Sequence, residues 1–85
     1  MCRNITALRG LEPPATQAEV QAAALQYVRK VTGITTAAGM ERPEFQQAVA
    51  AVAAATAAVL EALPARRVPP RTEPPLRRLA HADGS

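Results

Sequence analysis

Few side chains in this sequence could carry out chemistry, and the cysteine near the start is the most reactive of them. Removal of the initiator methionine would leave Cys2 with a free amine beside its thiol. Such an aminothiol can bind a soft metal ion or act as a nucleophile, and the neighbouring Arg3 would favour the thiolate. Alternatively, Cys2 packs as a small apolar residue or caps a turn. The sequence therefore leaves open a thiol-dependent redox or metal-linked role centred on Cys2, Arg3 and Asn4.

Other metal, cofactor and acid–base chemistry lacks the residues that it needs. The sequence has one Cys and one His, so Cys2 and His81 cannot supply the four ligands of a structural zinc site. The acidic residues Glu41, Glu44 and Glu61 do not show the pairing that glycoside chemistry requires. We expect no cofactor, no metal and no enzymatic activity.

A group of polar residues could bind phosphate or a nucleic-acid backbone. They would come together if the N-terminal segment folds back over the end of the first predicted helix. The residues are Arg3, Asn4, Arg9, Arg29 and Lys30. The alternative is that they pair with Glu12, Glu19 and the free carbonyl groups of the helix end.

The formal net charge of +3 comes entirely from the C-terminal part of the chain. Residues 1–63 contain five basic and five acidic residues, whereas residues 64–85 contain five arginines and two acidic residues. Five of the eight prolines also lie in 64–85, and proline interrupts helices and favours extended backbone before it. We therefore predict that residues 64–85 form an extended, disordered, basic tail.

This tail could contact nucleic acid or an acidic protein, and its Pro-Pro pairs could offer polyproline geometry to a partner. Single-strand binding normally adds stacking aromatic side chains, which the tail lacks, so a nucleic-acid contact would be weak. A solvated tail without fixed contacts is the alternative. The candidate tail contacts are the arginines Arg66, Arg67, Arg71, Arg77 and Arg78.

Local signals predict a first helix over residues 17–32. Thr16 and Glu19 have the spacing of a capping box, in which each side chain bonds the backbone amide of the other. Gly33 supplies the left-handed residue that commonly ends a helix.

A second helix is predicted over residues 43–63. Pro43 suits the first helical position, where its missing amide hydrogen costs little, and Pro64 stops the helix. Residues 34–42 between the two helices are expected to form a loop that Gly39 breaks.

Apolar residues recur on both predicted helices in steps of three and four. The first stripe is Val20, Ala24, Tyr27 and Val31, with Ala23 and Val28 at its margins. The second is Phe45, Val49, Val52, Thr56, Val59 and Leu63, with Leu60 beside it. The shared period predicts an antiparallel two-helix hairpin that crosses at about +20°.

The composition limits the core of this all-α fold. Apolar residues make up 48% of 85 residues, but 20 of them are alanine, and Phe45 and Tyr27 are the only aromatics. A core this small seldom supplies more than about 3–5 kcal/mol. Residues 1–15 are therefore expected to pack across the hairpin, or two hairpins to pair into a four-helix bundle, and both together are favoured. The predicted organisation is a helical domain over 1–63 followed by the tail over 64–85.

The sequence also suggests a location. Residues 1–10 lack the apolar stretch of a signal peptide, and the unpaired cysteine suits a reducing compartment. No run of about eighteen apolar residues lacks polar interruption, so no membrane span or membrane partner is expected. We predict a cytoplasmic protein, and the Ala, Arg and Pro bias suggests a bacterial source.

Three segments carry a resemblance to a known family: MCRNI at 1–5, LRGLEPPAT at 8–16 and AAALQYVRKVTG at 22–33. The sequence resembles a domain-of-unknown-function family of small uncharacterised bacterial proteins whose members begin Met-Cys-Arg-Asn-Ile. The resemblance covers 1–63 and extends to Pro69-Pro70-Arg71, whereas residues 37–42 are less basic than is usual in the family. The family has no established activity, so the resemblance implies only a single helical domain.

These observations favour a non-catalytic interaction module that binds an unknown protein partner or a second copy of itself. Weak binding of nucleic acid through the tail is a further expectation. The thiol-dependent role at Cys2 is the alternative.

Overall fold

The computed structural model describes residues 4–11, 13–64 and 74–77. Within these ranges the chain forms the helices α1 (Gln17–Thr32), α2 (Ala37–Met40) and α3 (Pro43–Ala62), and it forms no β-strand. The protein is therefore all-α, as predicted.

Helix α1 begins and ends at the predicted signals. The Thr16 hydroxyl accepts the Glu19 amide at 3.1 Å, and the Glu19 carboxylate accepts the Thr16 amide at 2.8 Å, which completes the capping box. At the other end Gly33 has φ 72°, and its amide donates to the Arg29 carbonyl at 2.9 Å. A side chain at position 33 would be strained in this left-handed conformation.

The segment predicted as a loop contains the short helix α2. The Thr36 hydroxyl accepts the Gly39 amide at 3.1 Å and caps the N-terminus of this helix. Gly39 therefore lies inside a helical turn and does not break the segment. Its lack of a side chain serves close packing, because a Cβ there would lie 2.6 Å from Cγ2 of Ile34.

Helix α3 begins at Pro43 and ends at Ala62, one residue before the predicted end. Leu63 is already extended, with φ −76° and ψ 148°, although its amide still donates to the Val59 carbonyl at 3.0 Å. The cause is Pro64, whose ring disfavours helical geometry in the residue before it.

The core lies where α1, α3 and the N-terminal segment of residues 4–11 meet. Helices α1 and α3 pack against each other. Leu8 and Leu11 of the N-terminal segment are buried in one cluster with Val20, Ala24 and Ala53. The predicted packing of the N-terminal segment on the helices is therefore present in the described residues.

The buried face of α1 is rotated from the predicted stripe. Val28 is 3% exposed, whereas Tyr27 and Val31 are 49% and 64% exposed. Residues four apart on a helix differ by about 40° in direction, while adjacent residues differ by about 100°. The buried line therefore runs through Val20, Ala24 and Val28, and Tyr27 falls at its edge. The placement of Tyr27 and Val31 in the core was wrong.

The buried face of α3 is also rotated. Val59 and Leu63 are 50% and 43% exposed, whereas Ala53 is buried and Leu60 packs against the core cluster. The cause is the N-terminal segment, because Leu8 lies beside Leu60 and extends the core to that side of α3. The apolar stripe of α3 was assigned as if only two helices packed together. It therefore missed the side of α3 that faces the N-terminal segment.

Helix α3 has the length and composition to cross a membrane, which the sequence reading did not expect. Its 20 residues include an 18-residue window of mean hydropathy 1.3, and 11% of that window is buried. One such helix is weak evidence of a membrane span, because a core helix of a water-soluble protein passes the same test. The finding identifies α3 as a long apolar helix that faces mostly solvent.

The rotated face of α1 can be tested with two valines. Val28→Ala should lower the free energy of unfolding by about 1–3 kcal/mol, because it removes buried methyl groups. Val31→Ala removes the same atoms from an exposed position and should change stability by less than about 0.5 kcal/mol. Urea unfolding followed by circular dichroism measures both values. Equal losses of unfolding free energy, or a larger loss for Val31→Ala, would contradict the observed burial of Val28.

Candidate functional site

A buried ion pair joins the C-terminal part of the chain to the start of α1. Arg77 Nε lies 2.7 Å from Glu19 Oε2, and Arg77 Nη2 lies 3.2 Å from Glu19 Oε1. Nη2 also donates to the Pro14 carbonyl at 2.8 Å. Glu19 is 3% exposed and Arg77 is 8% exposed.

Residues 74–77 therefore have a fixed place on α1. Pro74 is buried, and the Arg77 amide donates to its carbonyl at 3.0 Å, which closes a short turn. The predicted disorder does not hold for these four residues, because a buried ion pair and a backbone hydrogen bond hold them. The remainder of the predicted tail, apart from Pro64, lies outside the described residues.

The Glu19 carboxylate serves the helix cap and the ion pair together. Burial acts to raise the pKa of Glu19, but hydrogen bonds from Arg77 and Thr16 and the charge of Arg77 outweigh it. The net result is a pKa below the ordinary value of 4.5. Near neutral pH this carboxyl group is therefore ionised, as the salt bridge requires.

An apolar groove of about 690 Å³ lies between the N-terminal segment, the start of α1 and the second half of α3. We call it the α3 groove. Its lining includes the core residues Leu8, Leu11, Val20 and Ala53, and exposed alanines of α3. Its polar lining residues are Arg9, Gln17, Gln21 and Glu61. The volume falls in the range of about 300–1,000 Å³ that is typical of ligand sites.

Arg9 fastens one end of the α3 groove. Its Nε donates to the Pro64 carbonyl at 3.0 Å and so links the N-terminal segment to the end of α3. Gly10, with φ 91°, turns the chain between Arg9 and the buried Leu11. A positive φ favours glycine, so this turn depends on the residue type at position 10.

The described residues do not assemble the predicted basic cluster. Arg9 lies beside the start of α1, whereas Arg29 and Lys30 are exposed in its last turn. The amide of Asn4 donates to Gln26 Oε1 at 2.6 Å, which places the beginning of the N-terminal segment along α1. The segment therefore runs along the helix and separates the bases. The candidates Cys2, Arg3, Arg66, Arg67, Arg71, Arg78 and His81 lie outside the described residues.

A further cavity of about 290 Å³ shares Leu8 and Leu60 with the α3 groove. We call it the Tyr27 cavity, because the half-exposed Tyr27 lies in its wall. The hydroxyl oxygen of Thr6, another lining residue, is buried and has no hydrogen-bond partner among the residues that the structure describes. Its remaining lining residues are Ile5, Ala23, Ala24, Val52 and Thr56.

Sequence reasoning missed both the groove and the ion pair. The groove left a readable signal, because Ala50, Ala54 and Ala57 fall on one face of α3 in the pattern i, i+4, i+7. For the ion pair, nothing in the sequence distinguished Arg77 from the other arginines of residues 64–85.

The described part of the chain offers binding surfaces more readily than reactive groups. Within it, no group of three or more His, Cys, Asp and Glu residues is arranged to hold a metal ion. The structure thus defines a small all-α protein with apolar concavities on either side of its N-terminal segment.

The chain belongs to the family described as Uncharacterized conserved protein (DUF2277), which matches it over residues 1–83. The matched region includes the C-terminal segment that carries Arg77. No curated protein and no solved structure matches the chain.

The buried ion pair should be far more important for stability than an exposed one. Arg77→Ala should cost about 3–5 kcal/mol, because it leaves the Glu19 carboxylate buried without its partner. The matched control is Arg42→Ala, which breaks the Arg42–Glu44 pair of 2.9 Å whose side chains are 65% and 70% exposed. That change should cost less than about 1 kcal/mol.

Thermal and urea unfolding of both variants measure this difference. A double variant, Glu19→Gln with Arg77→Met, removes both charges and should recover much of the loss. An Arg77→Ala protein as stable as Arg42→Ala would contradict the buried pair.

The ion pair should also make stability depend on pH. Because folding lowers the pKa of Glu19 below 4.5, its contribution is present above about pH 4.5 and is lost as the pH falls through the folded-state pKa. Glu19→Gln should therefore flatten the acid side of the stability profile, measured by urea unfolding from about pH 7 down to pH 3. Glu44→Gln, at the exposed pair, is the control: the hydrogen bond from Arg42 also lowers the pKa of Glu44, but solvent screens that pair, so this change should flatten the profile much less. A wild-type profile without this acid decline would count against the assignment.

Proposed function

We propose that the protein is a non-catalytic, cytoplasmic interaction module that binds an amphipathic helix of a partner protein in the α3 groove. In this proposal α1 and α3 form an antiparallel hairpin, and the N-terminal segment braces it. The observation that carries the proposal is the groove, which is large and apolar and is built on the core of the protein.

The hairpin arrangement is supported by the residues that share the groove. Gln17, the first residue of α1, lines it together with Leu63, which follows the end of α3. The hydrogen bond from Arg9 to the Pro64 carbonyl lies at the same end. The start of one helix therefore lies near the end of the other, as in an antiparallel pair.

The alanines of α3 favour a helix as the occupant. Ala50, Ala54 and Ala57 line the groove with small side chains on one helical face. Small side chains permit the close approach of a second helix, whose bulky apolar residues would then fill the groove. The partner segment would present apolar residues at positions i, i+3, i+4 and i+7.

The polar residues of the groove fit a helix with polar flanks. Arg9 and Glu61 carry opposite charges, and Gln17 and Gln21 are neutral hydrogen-bonding groups. A mixed polar border around an apolar centre is the usual anatomy of a protein interface. The charges would orient the partner helix more than they would strengthen its binding.

Nucleic-acid binding through the tail receives less support. The excess charge of residues 64–85 is +3, but Arg77 is neutralised by Glu19. The candidates Arg66, Arg67, Arg71 and Arg78 remain for such a contact and lie outside the described residues. The thiol-dependent alternative depends on Cys2, which also lies outside them, so no described contact favours it.

Two alanine substitutions on one helix test the groove. Ala54→Glu places a carboxylate in the apolar groove, whereas Ala51→Glu places the same group on an exposed part of α3 away from it. Binding to the partner should weaken about tenfold or more for Ala54→Glu, because its carboxylate would be buried without a counter-charge. Ala51→Glu should bind as the wild type does.

The measurement starts with affinity capture from the cells of origin, with and without nuclease. The candidate partner is a protein that is captured by the wild type and by Ala51→Glu but not by Ala54→Glu. This partner is then purified, and its dissociation constant is measured with the wild type and with each variant. Circular dichroism checks that each variant is folded. Undiminished binding by Ala54→Glu would overturn the groove, and capture that nuclease abolishes would favour the tail.

A further inference from the structure

We propose that the surface on which Arg77 docks, at the start of α1, is a binding site for a short segment of a partner protein that carries the pattern Pro-x-x-Arg. The chain's own residues 74–77, which we call the strap, occupy this site and act as an autoinhibitory contact. The strap site is defined by the Glu19 carboxylate and the Pro14 carbonyl, which hold Arg77. The inference goes beyond the proposed function and does not depend on what occupies the α3 groove.

The strap shows which chemistry the site recognises. Arg77 donates through Nε and Nη2 to both oxygens of Glu19, and Nη2 also donates to the Pro14 carbonyl. Pro74 is buried too, whereas Leu76 is 41% exposed. The hydrogen bond from the Arg77 amide to the Pro74 carbonyl closes the turn between them. The turn therefore presents a proline and an arginine to the protein and leaves the residue before the arginine in solvent.

The charge at the site selects arginine in particular. Glu19 is 3% exposed beneath the strap, so an occupant that covered it without a matching cation would bury its charge unpaired. The planar guanidinium group offers two N–H groups that fit the two carboxylate oxygens, whereas the ammonium group of lysine is a compact point charge. A segment with lysine at this position should therefore bind less well.

The contacts of the strap are few enough to be exchanged. Among the described residues, one side chain, Arg77, supplies the hydrogen bonds that tie the strap to the start of α1. Its Nη1 is buried and has no hydrogen-bond partner within the part of the chain that the structure describes. This nitrogen loses its hydration on docking without a replacement, and both ions of the pair lose theirs. These costs weaken the attachment of the strap to its own site.

The tether sets how strongly the strap competes with a partner. Residues 65–73, nine in number, connect Pro64 to the strap. A tethered segment acts at an effective concentration on the order of 1 mM. If the same segment binds from a separate molecule with a dissociation constant on the order of 10–100 µM, the tethered strap weakens that binding about ten- to a hundredfold. A partner that binds more tightly than the strap would displace it.

A synthetic peptide tests the site directly. The probe is a fluorescein-labelled peptide with the sequence of residues 72–79, and its binding to full-length chains is followed by fluorescence polarisation. Peptide variants carry Arg77→Ala or Arg77→Lys, and Leu76→Ala at the exposed position is the matched control. The chains are the wild type, Arg77→Ala, and the double variant Glu19→Gln with Arg77→Met, in which the site lacks its carboxylate.

We expect the Arg77→Ala chain to bind the probe with a dissociation constant on the order of 10–100 µM, and the wild type to bind it about ten- to a hundredfold more weakly. Toward the Arg77→Ala chain, the Arg77→Ala peptide should lose about a hundredfold in affinity and the Arg77→Lys peptide about tenfold. The Leu76→Ala peptide should bind as the probe does, and the double variant should bind none of them.

Circular dichroism keeps the test decisive if the Arg77→Ala chain is partly unfolded. Because binding to the folded state stabilises it, the probe and the Leu76→Ala peptide should then restore the helical signal of that chain. The Arg77→Ala peptide should not restore it.

Several results would contradict the strap site. A folded Arg77→Ala chain that ignores the probe at about 1 mM, or an unfolded one that the probe does not restore, would remove the site. Equal affinity of the wild type and the Arg77→Ala chain would show that the strap is not a competing occupant. Binding by the double variant would show that recognition does not involve Glu19.

Self-association is measured separately by sedimentation equilibrium. A wild-type dimer that disappears in the Arg77→Ala chain would assign the site to exchange of straps between two copies and not to a partner protein. None of these measurements involves Ala54 or the capture of a helical partner, so failure of this inference is distinguishable from failure of the proposed function.

Discussion

The carboxylate of Glu19 is the point on which the described structure depends most. It closes the capping box of α1 and accepts two hydrogen bonds from Arg77, a residue 58 positions away. The same guanidinium group holds the Pro14 carbonyl, so one ion pair fixes the approach to α1 and the beginning of the helix. Pro14 and Ala15, which precede α1, also line the α3 groove. The shape of that groove is therefore linked to a contact from the C-terminal end of the chain.

The form of this contact follows from the small core. A buried ion pair often contributes no more than a well-packed apolar pair would, because both ions lose their hydration. Its advantage is direction, since two N–H groups on one edge of the guanidinium group, at Nε and Nη2, match the two oxygens of one carboxylate. Glu19 and Pro14 then meet Arg77 in one arrangement, whereas an apolar contact among alanines would permit many. Specific polar contacts thus supply the order that a core with few large side chains cannot supply alone.

The N-terminal segment has a comparable role, because polar contacts also hold it against the helices. Its Asn4 amide bonds Gln26, and its Arg9 side chain bonds Pro64, so contacts at both ends hold the segment across the helices. Leu8 lies between those contacts and lines both the α3 groove and the Tyr27 cavity. Movement of Leu8 would therefore alter both surfaces.

What the sequence could and could not predict follows from how local each signal is. Both ends of α1 and the start of α3 depend on residues within one turn, such as Thr16, Gly33 and Pro43, and these were read correctly. The buried faces depend on a third element, the N-terminal segment, which packs on the side of α3 that carries Leu60. The prediction considered two helices only and therefore placed Tyr27 and Val59 in the core. The position of Arg77 is set by Glu19, which lies 58 residues away, and no local motif in the sequence predicts this contact.

The distribution of charge determines what kind of recognition the candidate surfaces could support. The charge excess of the chain lies in residues 64–85, and one of those arginines is already neutralised inside the structure. The α3 groove carries charges of both signs, and the lining of the Tyr27 cavity carries none among the described residues. Long-range attraction therefore contributes little at either surface, because steering needs a field of one sign. In the proposed function, recognition at these surfaces would depend on apolar fit and on a few directed hydrogen bonds, which act only at contact.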